Sequence, residues 1–386
     1  MAPRDFGRKQ APTRRGFLRV GALTSVGLAA ACAPAAAPAA PSGAPSQAAP
    51  QKAAWENEWD KLVELAKKEG KVVIQTPAGA GYRPAIEAFA KAYPGIEPEQ
   101  QAFPDSNAFI PKITGERQAG VYNFDVAATT VTPMITHFKP QGFIEPLRPA
   151  LLLPEVLDDK AWNAGFEGQF ADLTKTHIFY HQLTITRSII INTQLVKEDE
   201  IKALDDLLDP KWKGKIVSSD VTQGYVYTPS VLIREQKGEA WLRRLFIDQE
   251  PQIIRDRRLA AEAMVRGRVP VGFGINPNVL KDLMTELKVT NIKELDVLGY
   301  GGGDIVALFN RAPHPNAAKV FINWLLSKAG QTAWSTSLRL NSARTDVPAV
   351  DPGTAPGKGK FENPTREEWA PKTIATQEFL VKMMQR

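Results

Sequence analysis

The sequence predicts a two-lobed α/β protein. β-branched runs such as Lys71-Val72-Val73-Ile74-Gln75-Thr76 alternate with stretches of helical periodicity, the pattern of a parallel sheet covered by helices. Small-residue loops such as Pro77-Ala78-Gly79-Ala80-Gly81 separate strand from helix. The chain from Trp55 to Arg386 is long enough for two lobes at roughly 100–200 residues per domain.

The beginning of the chain stands apart from that pattern. Thr13-Arg14-Arg15-Gly16-Phe17-Leu18-Arg19 precedes a short apolar run from Val20 to Ala31, too short to span a bilayer. Residues 1–31 read as a twin-arginine export signal ending in Ala29-Ala30-Ala31-Cys32, which resembles a lipobox with Cys32 as the lipidated residue. Residues 32–54 are mostly Ala, Pro, Ser, Gly and Gln and read as a disordered linker, since such a stretch has almost no apolar bulk to offset ordering. Extended at roughly 3.1 Å per residue, it would hold a folded body up to about 60 Å from a membrane anchor.

The whole sequence carries 48 Lys and Arg against 42 Asp and Glu, a formal charge of +6. The signal holds six basic residues and one acidic residue, so the remainder falls to +1. That balance excludes nucleic acid as the expected partner, because a polyanion needs a concentrated basic surface. One cysteine cannot form an internal disulfide, so core burial must supply the stability.

The elements follow in order. Trp55, Trp59, Leu62, Val63, Leu65 and Ala66 recur at helical spacing and predict a helix over 55–68, ended by Glu69-Gly70. After the strand at 71–76, Ile86, Phe89 and Ala90 mark a helix over 83–93. A strand at 97–103, a helix at 108–119 and a strand at 124–128 continue the alternation. Residues 134–170 form a proline-punctuated connection. Two apolar runs, 177–185 and 187–192, read as strands, the first crossing between lobes. A second α/β unit follows, with helices at 201–208, up to 234, 239–248 and 259–266, and strands at 215–218, 269–274, 295–299 and 305–309. A helix over 315–328 carries Ala318, Phe321, Ile322, Leu325 and Leu326 on one face. Gly301-Gly302-Gly303 reads as a flexible hinge.

Several segments in this order carry a resemblance. They include Trp59-Asp60-Lys61-Leu62, Phe89-Ala90-Lys91-Ala92-Tyr93-Pro94-Gly95-Ile96, Ile191-Asn192-Thr193, Asp209-Pro210-Lys211-Trp212-Lys213-Gly214-Lys215-Ile216 and Pro315-Asn316-Ala317-Ala318-Lys319 through Gly330-Gln331. Together they resemble the type II periplasmic solute-binding proteins of bacterial ABC importers, in the ferric-iron-binding-like branch. The resemblance implies the type II periplasmic binding fold, with lobe 1 at 55–180 and 300–345, lobe 2 at 181–299, and a C-terminal tail and helix at 346–386 packed on the lobes. It also implies a monomer that closes on a small-molecule solute, performs no chemistry, needs no cofactor and docks on a membrane permease.

Ligands of open α/β sheets sit beyond the carboxyl ends of the strands. That rule makes Ser106, Asn107, Thr129, Thr130, Gln223, Gly224 and Tyr225 candidate contacts. Arg83 and Arg187 are candidate bidentate grips for an anion, and His181 is a candidate hydrogen-bonding group at the crossing. His177 and His181 on a strand lie about 13 Å apart, which argues against a shared metal. The branch's iron binders place adjacent tyrosines where this chain has Gly274-Ile275-Asn276-Pro277-Asn278. Amides hold a trivalent ion poorly, so Asn276 and Asn278 are expected to contact an anionic or polar solute, and ferric iron is the alternative. Tyr225 and Tyr227 read as packing rather than metal ligands. A ligand sensor would share this pattern. An exported enzyme would not explain the lack of Gly-x-Ser-x-Gly, His-Glu-x-x-His, Walker or paired-cysteine motifs.

Overall fold

The computed structural model describes residues 53–104, 106–355 and 361–385, with the side chains of residues 106 and 107 left out. The export signal, the linker and Cys32 therefore lie outside the described residues, apart from the last two linker positions. The helix Ala54–Glu69 opens the described chain and buries Leu62 and Ala66. Gly70, at a φ of 72°, ends it in the left-handed region that side chains resist.

Strands β1 (Lys71–Pro77), β2 (Glu97–Phe103), β3 (Val126–Thr130), β4 (Ile144–Glu145) and β5 (Ile178–Tyr180) come first. The chain then forms β6 (Thr184–Asn192), β7 (Ile216–Ser219), β8 (Gln252–Ile254), β9 (Val271–Phe273) and β10 (Ile292–Gly302), before returning as β11 (Asp304–Phe309). These make two sheets. One runs β2-β1-β3-β11-β4, with β5 also on β11; the other runs β10-β6-β9-β7-β8. β1, β2 and β3 are parallel, so Thr76, Thr129 and Thr130 end on the same side, and β11 lies antiparallel with Asp304 opposite Thr130.

Each sheet has a core on both faces. On one face of the first, Phe89 meets Phe321 and Trp324 at 5.1 and 5.3 Å between ring centres; on the other, Phe109, Phe138 and Phe309 are buried together. Truncating one such aromatic to alanine typically costs about 3–5 kcal/mol. In the second lobe the C-terminal helix Ala370–Met384 lends Leu380 and Met383 to the core that also holds Val226, Tyr227 and Tyr300.

The lobes are joined where β5 passes into β6 and β10 into β11. There the backbone N–H groups of His181 and Gln182 both donate to the Asp304 carbonyl, at 3.2 and 3.3 Å. The final segment adds further ties: Ile185 N–H donates to the Thr354 carbonyl at 3.0 Å, and Gly301 N–H to the Glu362 carbonyl at 2.8 Å.

Some local expectations change. The helix read at 201–208 is a short 3-10 turn, Leu204–Leu208, because the Asp206 carboxylate accepts from Lys202 and Ala203 N–H and Pro210 stops continuation. The strand read at 295–299 extends over Ile292–Gly302, since the long partner β6 pairs with both its ends, across a register shift between Leu295 and Gly299. The run at 177–185 breaks into β5 and an irregular crossing. Helices Pro277–Leu287 and Lys328–Leu338 went unread, although Asn276-Pro277 is a capping signal in its own right. Gly301 and Gly302 belong to β10 rather than to a loose hinge.

Candidate functional site

Polar groups from both lobes converge beside the crossing. Gly81 lets the start of the helix Tyr82–Ala92 press against neighbouring backbone, for a Cβ there would stand 2.5 Å from the Ser337 carbonyl oxygen. The Tyr82 ring then lies edge-on to Trp334, and its hydroxyl donates to Asp304 Oδ2 at 3.0 Å. From the second lobe, the helix Gly224–Lys237 begins against Gly274, which has a φ of 65°. A Cβ on Gly274 would come within 2.6 Å of the Tyr225 carbonyl oxygen, so this glycine sets where Tyr225 enters.

Tyr225 stands close enough to Asp304 to feel its charge. Tyr300 pairs across the ladder with Thr186 on the same sheet face, and Tyr227 lies near enough to Thr132 of the first lobe for that hydroxyl to influence its phenol. Asp304 and Tyr225 are largely covered by protein yet keep partial contact with solvent.

Burial dominates the electrostatics. It pushes the Asp304 carboxyl up to about 6, against the opposing effect of the Tyr82 hydrogen bond. It pushes Tyr225 up to about 12, with the Asp304 charge adding and Arg257 opposing. Tyr82 and Tyr300 are raised by the same cause. Burial raises Tyr227 as well, so the phenols of Tyr82, Tyr225, Tyr227 and Tyr300 are neutral at ordinary pH in this arrangement.

The residues expected from sequence divide sharply. Tyr225 belongs to the cluster, and Thr130 is exposed beside it, paired with Asp304. Thr129 is buried beneath, accepting from Gln75 Nε2 at 3.3 Å. Gln223 and Gly224 begin the helix that carries Tyr225; the Gln223 amide donates to the Arg255 carbonyl at 2.7 Å and its Oε1 is buried without a partner. Arg83 points away, exposed and 3.6 Å from Glu87, along a concavity of about 550 Å³ on the outer edge by β2. His181 is fully buried between Gln331 and Trp334, and burial lowers its pKa to about 3. Arg187 pairs with Asp296 at 2.5 Å on the sheet face opposite Tyr300. Asn276 uses its Oδ1 to cap the helix Pro277–Leu287, accepting from Asn278 and Val279 N–H, while the Asn278 side chain is exposed. Ser106 opens the helix Ser106–Gln118, but the side chains of Ser106 and Asn107 lie outside the described residues.

Sequence reading missed Tyr82, Tyr300 and Asp304. The signals available were a tyrosine directly after the Gly-rich turn and an aspartate directly after three glycines. Among the described residues, no group of three or more His, Cys, Asp or Glu side chains is arranged to hold a metal, and no helix is long and apolar enough to cross a membrane.

The family profile described as bacterial extracellular solute-binding protein matches residues 74–332, a span that contains Tyr82, Tyr225, Tyr300 and Asp304. The chain belongs to this family. Solved structures agree on the fold of this solute-binding protein. Iron-bound HitA from Pseudomonas aeruginosa superposes with a TM-score of 0.65 at 18% identity, covering 81% of this chain and 99% of that one. FutA (IdiA) of Trichodesmium, in complex with iron and citrate, gives 0.64 at 16%, covering 82% and 100%. AfuA from Actinobacillus pleuropneumoniae, with fructose-6-phosphate bound, gives 0.62 at 18%, covering 82% and 98%.

One arginine in this solute-binding protein looks like a ligand grip and is structural. The Arg344 side chain is 2% exposed, donates to the Glu155 and Leu326 carbonyls and pairs with Asp346 at 2.8 Å. Arg344→Ala is expected to cost about 2–4 kcal/mol by stranding those acceptors, read as a fall in the urea midpoint with an unchanged slope.

Proposed function

We propose that this protein is the extracytoplasmic receptor of an ABC importer and closes its lobes on a small polar solute without transforming it. The observation that carries this reading is the convergence of Tyr82, Thr130 and Asp304 from one side with Tyr225, Tyr227 and Tyr300 from the other, next to crossings that act as a hinge. Contacts from two lobes to one solute bias an open and closed equilibrium, and closure is a signal that a permease can read. The lobes are proposed as 55–180 with 300–345, and 181–299, with the boundary near 300 falling inside β10, so that Tyr300 itself sits on the second sheet. Export by the twin-arginine route and lipid attachment at Cys32 would keep the monomer at the outer face of the cytoplasmic membrane, on the linker of residues 32–54.

Ferric iron is a second reading. Its support is the oxygen donor set of phenols and a carboxylate, which suits a hard trivalent ion, together with iron in the HitA and FutA structures. Small-angle scattering distinguishes receptor from non-receptor: a bound solute should reduce the radius of gyration of the folded body. No contraction with any bound compound would end the proposal. For the anchor, Cys32→Ser should move the protein from the membrane fraction to the soluble one.

A further inference from the structure

We infer that Asp304, flanked by the phenols of Tyr82 and Tyr225, selects a solute bearing a positively charged organic nitrogen. This rests on the receptor reading above and names the class of its solute.

The argument begins with what Asp304 lacks. A carboxylate offers about four acceptor positions. Among the described residues Asp304 forms no ion pair, and its one side-chain hydrogen bond comes from Tyr82 at 3.0 Å. The cation that acts on the cluster, Arg257, influences Tyr225 and not Asp304. The Asp304 backbone is fixed, its carbonyl held by two N–H groups of the crossing and its strand paired with Thr130 in β3, so the carboxyl stays at the junction of the lobes, largely covered and in partial contact with solvent. A fixed, enclosed carboxylate with free acceptor positions and no cation of its own is complementary to a cation brought by the solute.

The surroundings favour an organic cation over a metal ion. Burial raises the phenols of Tyr82, Tyr225, Tyr227 and Tyr300, so a set of phenolate ligands would require several deprotonations. An ammonium group requires none: it takes a carboxylate on one side and the electron-rich faces of tyrosine rings on the other. An anionic solute would meet the Asp304 charge at close range in an enclosed site. That consequence narrows the expected anionic or polar solute to a polar one carrying positive charge.

The test uses the full-length chain at pH 8, titrated calorimetrically with putrescine, choline and ethanolamine, with citrate, glycerol 3-phosphate and glucose, and with ferric nitrilotriacetate, while scattering follows closure. At least one ammonium compound should bind and close the lobes. Asp304→Asn should weaken it at least 100-fold, and Asp304→Glu, which keeps the charge, should recover part of that loss in an equally folded protein. Tyr225→Phe, which keeps the ring, should stay within threefold, whereas Tyr225→Leu should lose tenfold or more. Closure on anionic, neutral or ferric probes alone, or ammonium binding unaffected by Asp304→Asn, overturns this inference and leaves the receptor reading standing. Failure of every probe to close the lobes overturns both.

Discussion

Asp304→Asn is expected to stabilise the ligand-free protein at pH 8 and to have little effect at pH 4. The folded-state carboxyl is raised from an ordinary 3.8 to about 6, chiefly by burial. Between those values the folded protein binds a proton that the unfolded chain has released. Stability from this group is therefore greatest below about pH 4, declines as pH rises through the window, and reaches its full penalty above about pH 6. The displacement corresponds to about 3 kcal/mol, at 1.36 kcal/mol per tenfold change in proton affinity. Asparagine is close in shape and still accepts from Tyr82, but it carries no charge to desolvate. Urea midpoints of both proteins at pH 4 and pH 8 decide the matter, because every other titrating group is common to the two. An equal difference at both pH values, or a less stable variant at pH 8, would show that the carboxylate is not held under strain. A residue that costs stability when the site is empty is what a binding position looks like, since the ligand supplies the missing partner.

The second large effect falls on the crossing. A Cβ at Gly303 would stand 1.9 Å from the Gln182 carbonyl oxygen, 2.6 Å from its carbon and 3.2 Å from Leu183 Cα. Every one of those atoms is backbone, so no side chain can turn aside. Gly303→Ala must separate β11 from the segment before β6, breaking the paired bonds from His181 and Gln182 to Asp304. We expect a loss of about 3 kcal/mol or more, at the upper end of overpacking effects. Gly301→Ala and Gly302→Ala serve as controls, since the nearest atoms to their added methyls lie at an ordinary 3.7 Å. A thermal midpoint that falls for Gly303→Ala and stays nearly level for the other two is the expected outcome. Equal effects at all three would mean that the run matters through flexibility and not through one close approach.

How much of this was legible in the chain depends on the range of each interaction. Local periodicity encodes burial along a helix or strand, and so β1, the helix Tyr82–Ala92 and the helix Pro315–Leu326 could be read from their apolar spacing. Strand ends follow from strands, which is why the sequence points to Thr130 and Tyr225, residues that the structure places beside Asp304. The Tyr82 to Asp304 bond joins positions 222 residues apart, and no local pattern carries that information. His181 shows the converse error: a polar residue at a crossing invites a binding role, yet Trp334 and Gln331 arrive from a helix far along the chain and bury it. Asn276 was misread for a different reason, because its capping signal was present in the sequence and a ligand contact was preferred to it.

By itself, then, the sequence determined the α/β alternation, which is written in short-range apolar spacing, the room for two lobes, which follows from chain length, and the order of segments that carries the family resemblance. Tertiary structure decided which polar side chains are spent on one another and which are left without a partner. That distinction arises where two crossings bring distant segments within a few ångströms, and there it turns Asp304 from one acidic residue among many into an enclosed charge awaiting a counterpart.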